Sequence, residues 1–240
     1  MAIKIIAFDL DETLYDEHSY LLSGYSEVAM YMSKTFREGG KTVGVGSILT
    51  YMLNVEAKFG RSFVFQATLG TGEHFNANTK KNVKKCIQIY RQHIPDICLY
   101  PEAKKCLNRF SKFPQYLISD GNKYVQNNKV KALGLDKIME AFYLTNRYGN
   151  HYAKPCPYCF FLVAKREKGE PNEIVYIGDN PHKDFIEIKK HGFHTIRVLT
   201  GRYKDIKVPE ERDAHITINN LSELTEEVLE KLSRRKKNEI

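Results

Sequence analysis

Ile3-Lys4-Ile5-Ile6-Ala7-Phe8 runs without a break into Asp9-Leu10-Asp11-Glu12-Thr13. A short apolar run rich in β-branched residues predicts a strand buried on both faces. It ends on two carboxylates spaced i, i+2. Alternation of side chains along a strand aims such a pair the same way. Two close carboxylates repel unless a cation neutralises them. The carboxyl end of a buried strand is where open α/β sheets place their ligands. The stretch therefore predicts a site for a divalent cation and a phosphate.

Beyond Thr13 the period changes. Leu21, Leu22, Tyr25, Val28, Ala29 and Met32 give a helix over 17–37, ended by Gly39-Gly40. Helices are expected again over 45–59 and 79–93; the Gly-containing stretch 62–78 is ambiguous. From Pro101 strands and helices alternate. Strands are expected at 115–118, 141–144, 174–177, 194–198 and 216–218, and helices from 101 and over 123–133, 156–167 and 182–190. A last helix is expected from about Ser222. Such alternation predicts βαβ units and a parallel, doubly wound sheet. The first strand then belongs with the C-terminal half. The predicted organisation is an α/β Rossmann-like core of residues 1–15 and 98–240, with an α-helical insertion at 16–97.

Three more polar clusters follow predicted strands or precede a helix. They are Ser119-Asp120-Gly121-Asn122, Ala153-Lys154-Pro155 and Gly178-Asp179-Asn180-Pro181-His182-Lys183-Asp184. In a parallel sheet these strand ends share one edge, so Asp9, Asp11, Ser119, Lys154, Asp179 and Asp184 should converge. Several carboxylates suit a hard cation such as Mg²⁺. A hydroxyl, a lysine and loop N–H groups suit phosphoryl oxygens. One carboxylate can attack phosphorus, and a second can move protons.

In this order the clusters resemble the four motifs of the haloacid dehalogenase superfamily. The matches are Asp9-Leu10-Asp11-Glu12-Thr13, Ser119, Lys154 with Pro155 and Pro157, and Gly178-Asp179 with Asp184. Tyr100-Pro101-Glu102-Ala103 and Leu133-Gly134-Leu135 are similar to its branch of phosphoglycolate phosphatases and nucleotidases. The insertion falls where that branch carries a helical, C1-type cap. The resemblance implies Asp9 as nucleophile and Asp11 as general acid and base. It implies Mg²⁺ on Asp9, Asp11, Asp179 and Asp184, and phosphate on Leu10, Ser119, Asp120, Gly121 and Lys154. The family's dehalogenases lack an acid at the place of Asp11, so its presence implies a phosphatase. The expected substrate is a small phosphorylated metabolite: a sugar phosphate, a nucleoside monophosphate or a phospho-acid. A phosphosugar mutase of the same fold and a non-catalytic binding protein are the alternatives. Asp120 stands where the branch often has Asn, and 146–151 lacks the branch's acidic residues.

Composition narrows the partners. The 240 residues are 42% hydrophobic and 28% charged, and no apolar run reaches the roughly 20 residues a bilayer requires. The amino-terminal run is short and followed at once by acids, unlike a signal peptide. Five cysteines fit a reduced, cytoplasmic setting better than a disulfide framework. Cys156 and Cys159 are read as incidental, and His182 and His191 as surface residues. The net charge of +8 gathers at Lys80-Lys81, Lys84-Lys85, Lys104-Lys105 and Arg234 to Lys237, which reads as solvated faces. Without Trp, a zinc-finger pattern or an RNP-like aromatic motif, a nucleic-acid partner is not expected. Tyr20, Tyr25, Tyr31, Phe59, Phe63 and Phe65 are expected mostly in the core of the insertion.

Overall fold

In the computed structural model, residues 2–70 and 80–235 are described. The last part of the ambiguous stretch 62–78 lies outside them. Strand β1 (Ile5–Phe8) is buried along its whole length. It pairs in parallel with β2 (Gln115–Ser119) and β4 (Ile174–Gly178), matching Phe8 to Leu117 on one side and to Ile177 on the other. Adding β3 (Ala141–Leu144), β5 (His194–Val198) and β6 (Ile216–Ile218) gives a parallel six-stranded sheet in the order β3-β2-β1-β4-β5-β6. Chain order runs one way from β1 through β2 and the other way from β4. That is the topological switch at which such sheets bind ligands.

The chain divides into two units, residues 1–17 with 97–240, and residues 18–96. Helix α1 (Glu17–Glu38) begins the second unit, which continues with α2 (Val45–Phe59), α3 (Val64–Gly70) and α4 (Lys80–Gln92). Its core gathers Leu21, Tyr25, Val28, Met32, Ile48, Met52, Leu69 and Cys86. Tyr20 is also buried, but Phe59 and Phe63 are 63% and 61% exposed, which corrects the core expectation for those two rings.

The first unit carries α5 (Pro101–Arg109), α6 (Lys123–Ala132), α7 (Tyr158–Glu167), α8 (Ile186–Lys190) and α9 (Glu226–Arg235). Ile5, Ala7, Tyr116, Ile118, Ile174 and Tyr176 from the sheet pack with Phe160, Val163, Phe185 and Ile188. Three helix starts come later than the periodicity predicts. Helix α7 waits for Pro157, its N-cap. Helix α8 begins at Ile186 because 182–185 form a turn. A 3₁₀ turn at Leu221–Glu223 precedes α9. Among the described residues, no helix is long and apolar enough to cross a membrane.

Candidate active site

The three central strands end together. Asp9 follows β1, Ser119 closes β2 and Asp179 follows β4, with the Asp9 N–H donating to the Ile177 carbonyl at 2.8 Å. Asp9, Asp179 and Asp184 form a buried group whose carboxylate oxygens lie within 4.8 Å of one another. Lys154, with no side-chain exposure, reaches Asp9 Oδ1 at 2.7 Å, Asp184 Oδ1 at 2.8 Å and the Tyr176 hydroxyl at 2.8 Å. Burial pulls the ammonium of Lys154 down, but Asp184 and Asp9 outweigh it and hold it well above the ordinary lysine value.

One cation does not balance three carboxylates. Burial, reinforced by Asp9 and Asp184, pushes Asp179 up to about 9. Burial raises Asp9 to about 6 against the pull of Lys154. Asp179 Oδ2 is buried and has no hydrogen-bond partner. A buried carboxylate oxygen left this way is costly unless a donor or a cation meets it.

The Asp11 carboxylate is engaged elsewhere and is not in the three-carboxylate group. Its Oδ1 takes Lys129 Nζ at 2.6 Å and the Tyr15 hydroxyl at 2.5 Å, and its Oδ2 takes Gln126 Nε2 at 2.7 Å. Burial pushes its pKa up, yet Lys129 and these hydrogen bonds outweigh it and hold the carboxyl below its usual value. Asp120 is similarly tied. Oδ1 accepts from Thr145 Oγ1 at 2.8 Å and from the Lys154 N–H at 3.0 Å, and Oδ2 meets Lys183 at 2.9 Å. Lys154 and Lys183 outweigh burial and lower its pKa.

A cavity of about 210 Å³ opens over these groups. Asp9, Asp11, Ser119, Asp120, Gly121 and Asp179 line it, together with Glu12, Lys183 and Arg202. Leu10 is fully buried and Lys154 and Asp184 lie beneath, so none of the three is among its lining residues. Cys156 and Cys159 are free thiols, and burial pushes Cys159 up to about 12, far from a reactive thiolate. His182 and His191 are exposed.

Residues 3–192 match the family model described as haloacid dehalogenase-like hydrolase. The chain belongs to that family. Among curated relatives it is 27% identical over 235 residues to a glyceraldehyde 3-phosphate phosphatase of Methanocaldococcus jannaschii, covering 93% of this chain and 96% of that protein. It is also 27% identical to the protein of the same name in Pyrococcus furiosus, covering 95% of this chain and 94% of that one. A crystal structure of a 2-haloacid dehalogenase from Pseudomonas syringae shares the fold, with a TM-score of 0.64 at 21% identity over 95% of this chain and 99% of that one.

Within this haloacid dehalogenase-like hydrolase, motif reading did not identify Tyr15, Gln126, Lys129, Thr145 and Tyr176. One signal was available for two of them. Gln126 and Lys129 are spaced i, i+3 on the helix after Ser119, so they share its face. Both are polar yet 2% and 3% exposed. Long polar side chains buried that deeply are rare without a partner.

Proposed function

We propose that the protein is a Mg²⁺-dependent phosphatase of small phosphorylated metabolites, working through an aspartyl-phosphate on Asp9. The observation that carries this reading is the buried Asp9–Asp179–Asp184 group, with its unpartnered Asp179 oxygen, at the floor of a cavity. An all-oxygen donor set with excess negative charge fits a hard divalent cation. Asp9, Asp179 and Asp184 would hold the ion; when bound it neutralises charge on the phosphoryl oxygens. Asp9 attacks phosphorus. Asp11 protonates the departing ester oxygen and then takes a proton from water. Ser119 and the Gly121 backbone serve the phosphate side, while Lys154 acts from beneath through Asp9.

Asp11 favours an ester substrate over a halide, because a departing alkoxide needs a proton and a halide does not. The cavity is smaller than the ~300–1,000 Å³ of drug-sized sites, which suits a compact ester. The relatives named glyceraldehyde 3-phosphate phosphatase make triose phosphates the first class to try. The helical unit, 18–96, is the cap and sets the choice among esters.

The test is phosphate release from glyceraldehyde 3-phosphate, phosphoglycolate, sugar phosphates and nucleoside monophosphates. Turnover should require Mg²⁺, stop in EDTA and return on adding Mg²⁺. Asp9→Asn should retain less than about 1% of it. Full activity in EDTA, or in Asp9→Asn, overturns the reading.

A further inference from the structure

Asp11 lines the cavity, but the three groups bonded to it do not. Tyr15 is fully buried, Gln126 is 2% exposed and Lys129 3% exposed. A carboxylate offers about four lone-pair sites. Two sites on Oδ1 are taken by Lys129 and Tyr15, and one on Oδ2 by Gln126. The remaining site is on Oδ2.

Gln126 has a second task. Its Nε2 also donates to Ser119 Oγ at 2.7 Å. Asp11 only accepts, so the NH₂ end of the amide must face it, and both N–H groups are then spent. Ser119 Oγ accepts this N–H, and its own proton points to the Asp120 carbonyl at 3.5 Å, a long bond that a phosphoryl oxygen can replace. Beside this amide the chain turns through Gly121 at φ +120°, a backbone conformation that favours glycine.

We propose that Lys129, Gln126 and Tyr15 are positioning residues that fix Asp11 so that Oδ2 carries the transferred proton, and that Gln126 orients Ser119 as a donor in the same act. The proposal rests on the reading of Asp11 as acid and base. In the first step an Asp9 oxygen bonds to phosphorus as the ester P–O bond breaks. The bonding pair stays on the leaving oxygen, which takes a proton that Oδ2, ionised at rest beside Lys129, has first drawn from the solvent side of the cavity it lines. In the second step Oδ2 takes a proton from water, the water oxygen bonds to phosphorus, and Asp9 departs as carboxylate.

The experiment compares p-nitrophenyl phosphate, whose leaving group needs little protonation, with the alkyl ester turned over fastest in the panel above. General acid help is worth ~10²–10⁴-fold in all, and Lys129→Met should forfeit part of it. Its kcat on the alkyl ester should fall ~10–100-fold more than on p-nitrophenyl phosphate, with KM within about twofold. Tyr15→Phe, which keeps the buried ring should Lys129→Met fail to fold, should move the ratio the same way by less. Adding Lys129→Met to Asp11→Asn should cost the alkyl ester nothing further, the non-additivity expected of groups acting as a unit. Equal losses on both esters in the single variants, or a further loss in the double variant, overturn the proposal. Asp11→Asn showing no leaving-group dependence overturns the acid/base reading itself, and the proposal with it.

Discussion

Glu12 is held in the left-handed region at φ 61°, with its carbonyl accepting from the Thr200 hydroxyl and its side chain 8% exposed. Burial, then Glu17 and Asp16, push it from 4.5 to about 7. Below about pH 4.5 it is protonated whether the chain is folded or not. Between 4.5 and 7 the unfolded chain ionises while the folded one keeps the proton, so stability is lost as pH rises through that window. Glu12→Gln escapes this loss. In EDTA, its unfolding free energy relative to wild type should rise by on the order of 2 kcal/mol from pH 4.5 to pH 8. Denaturation midpoints at the two pH values measure it; a pH-independent difference would mean that the proton is not retained. Asp120 shows what a single residue cannot reveal in sequence. Beside a phosphate site it reads as an unwelcome charge. The charges that offset it, Lys154 and Lys183, lie 34 and 63 residues away, and their approach to Asp120 exists only after the sheet is built.

At the scale of elements, the strands were legible and the helix starts were not. Apolar runs at 5–8, 115–119 and 174–178 have no face to leave polar, so their burial is written into composition. Helix starts depend on local competition. Asp184 Oδ2 accepts the Asn180 N–H at 2.9 Å, which holds 180–184 in a turn where Phe185 and Ile188 extend a helical period. The exposed rings of Phe59 and Phe63 follow the same logic, because periodicity names a face but not what covers it. The turn leaves Gly178 no room: a Cβ there would lie 2.6 Å from Asp184 Oδ2. Asp184 is 1% exposed and tied to Lys154, so it has little freedom to yield. Gly178→Ala should therefore cost ~1–3 kcal/mol in urea denaturation. It should also lower kcat more than tenfold, because the Lys154 pairing shifts with Asp184. Wild-type turnover in Gly178→Ala would show that the turn gives way without moving the carboxylate.

Across the whole molecule, each unit owns a hydrophobic core. The Tyr100 N–H donates to the Leu14 carbonyl at 2.9 Å, so the core's two chain segments already meet beside the joints. Replacing 18–96 with a short Gly/Ser linker should leave a core that unfolds cooperatively and still cleaves p-nitrophenyl phosphate. The spread of kcat/KM across natural esters should narrow. An unchanged spread and rank order would place the choice of ester in the core.

The sheet order also bears on how the protein is made. β1 sits between β2 and β4, and its Ile5 pairs with Ile174. Roughly 170 residues separate those partners, or about ten to thirty seconds of translation at ~5–20 residues per second. A nascent chain thus carries Asp9 long before Asp179 and Asp184 leave the ribosome. The helical unit can fold in that interval on its own core, while the apolar Ile5–Phe8 segment waits with one edge open. Ribosome-bound chains stalled before β4 should hold Asp9 but lack Asp179 and Asp184, making activity a late event of biosynthesis.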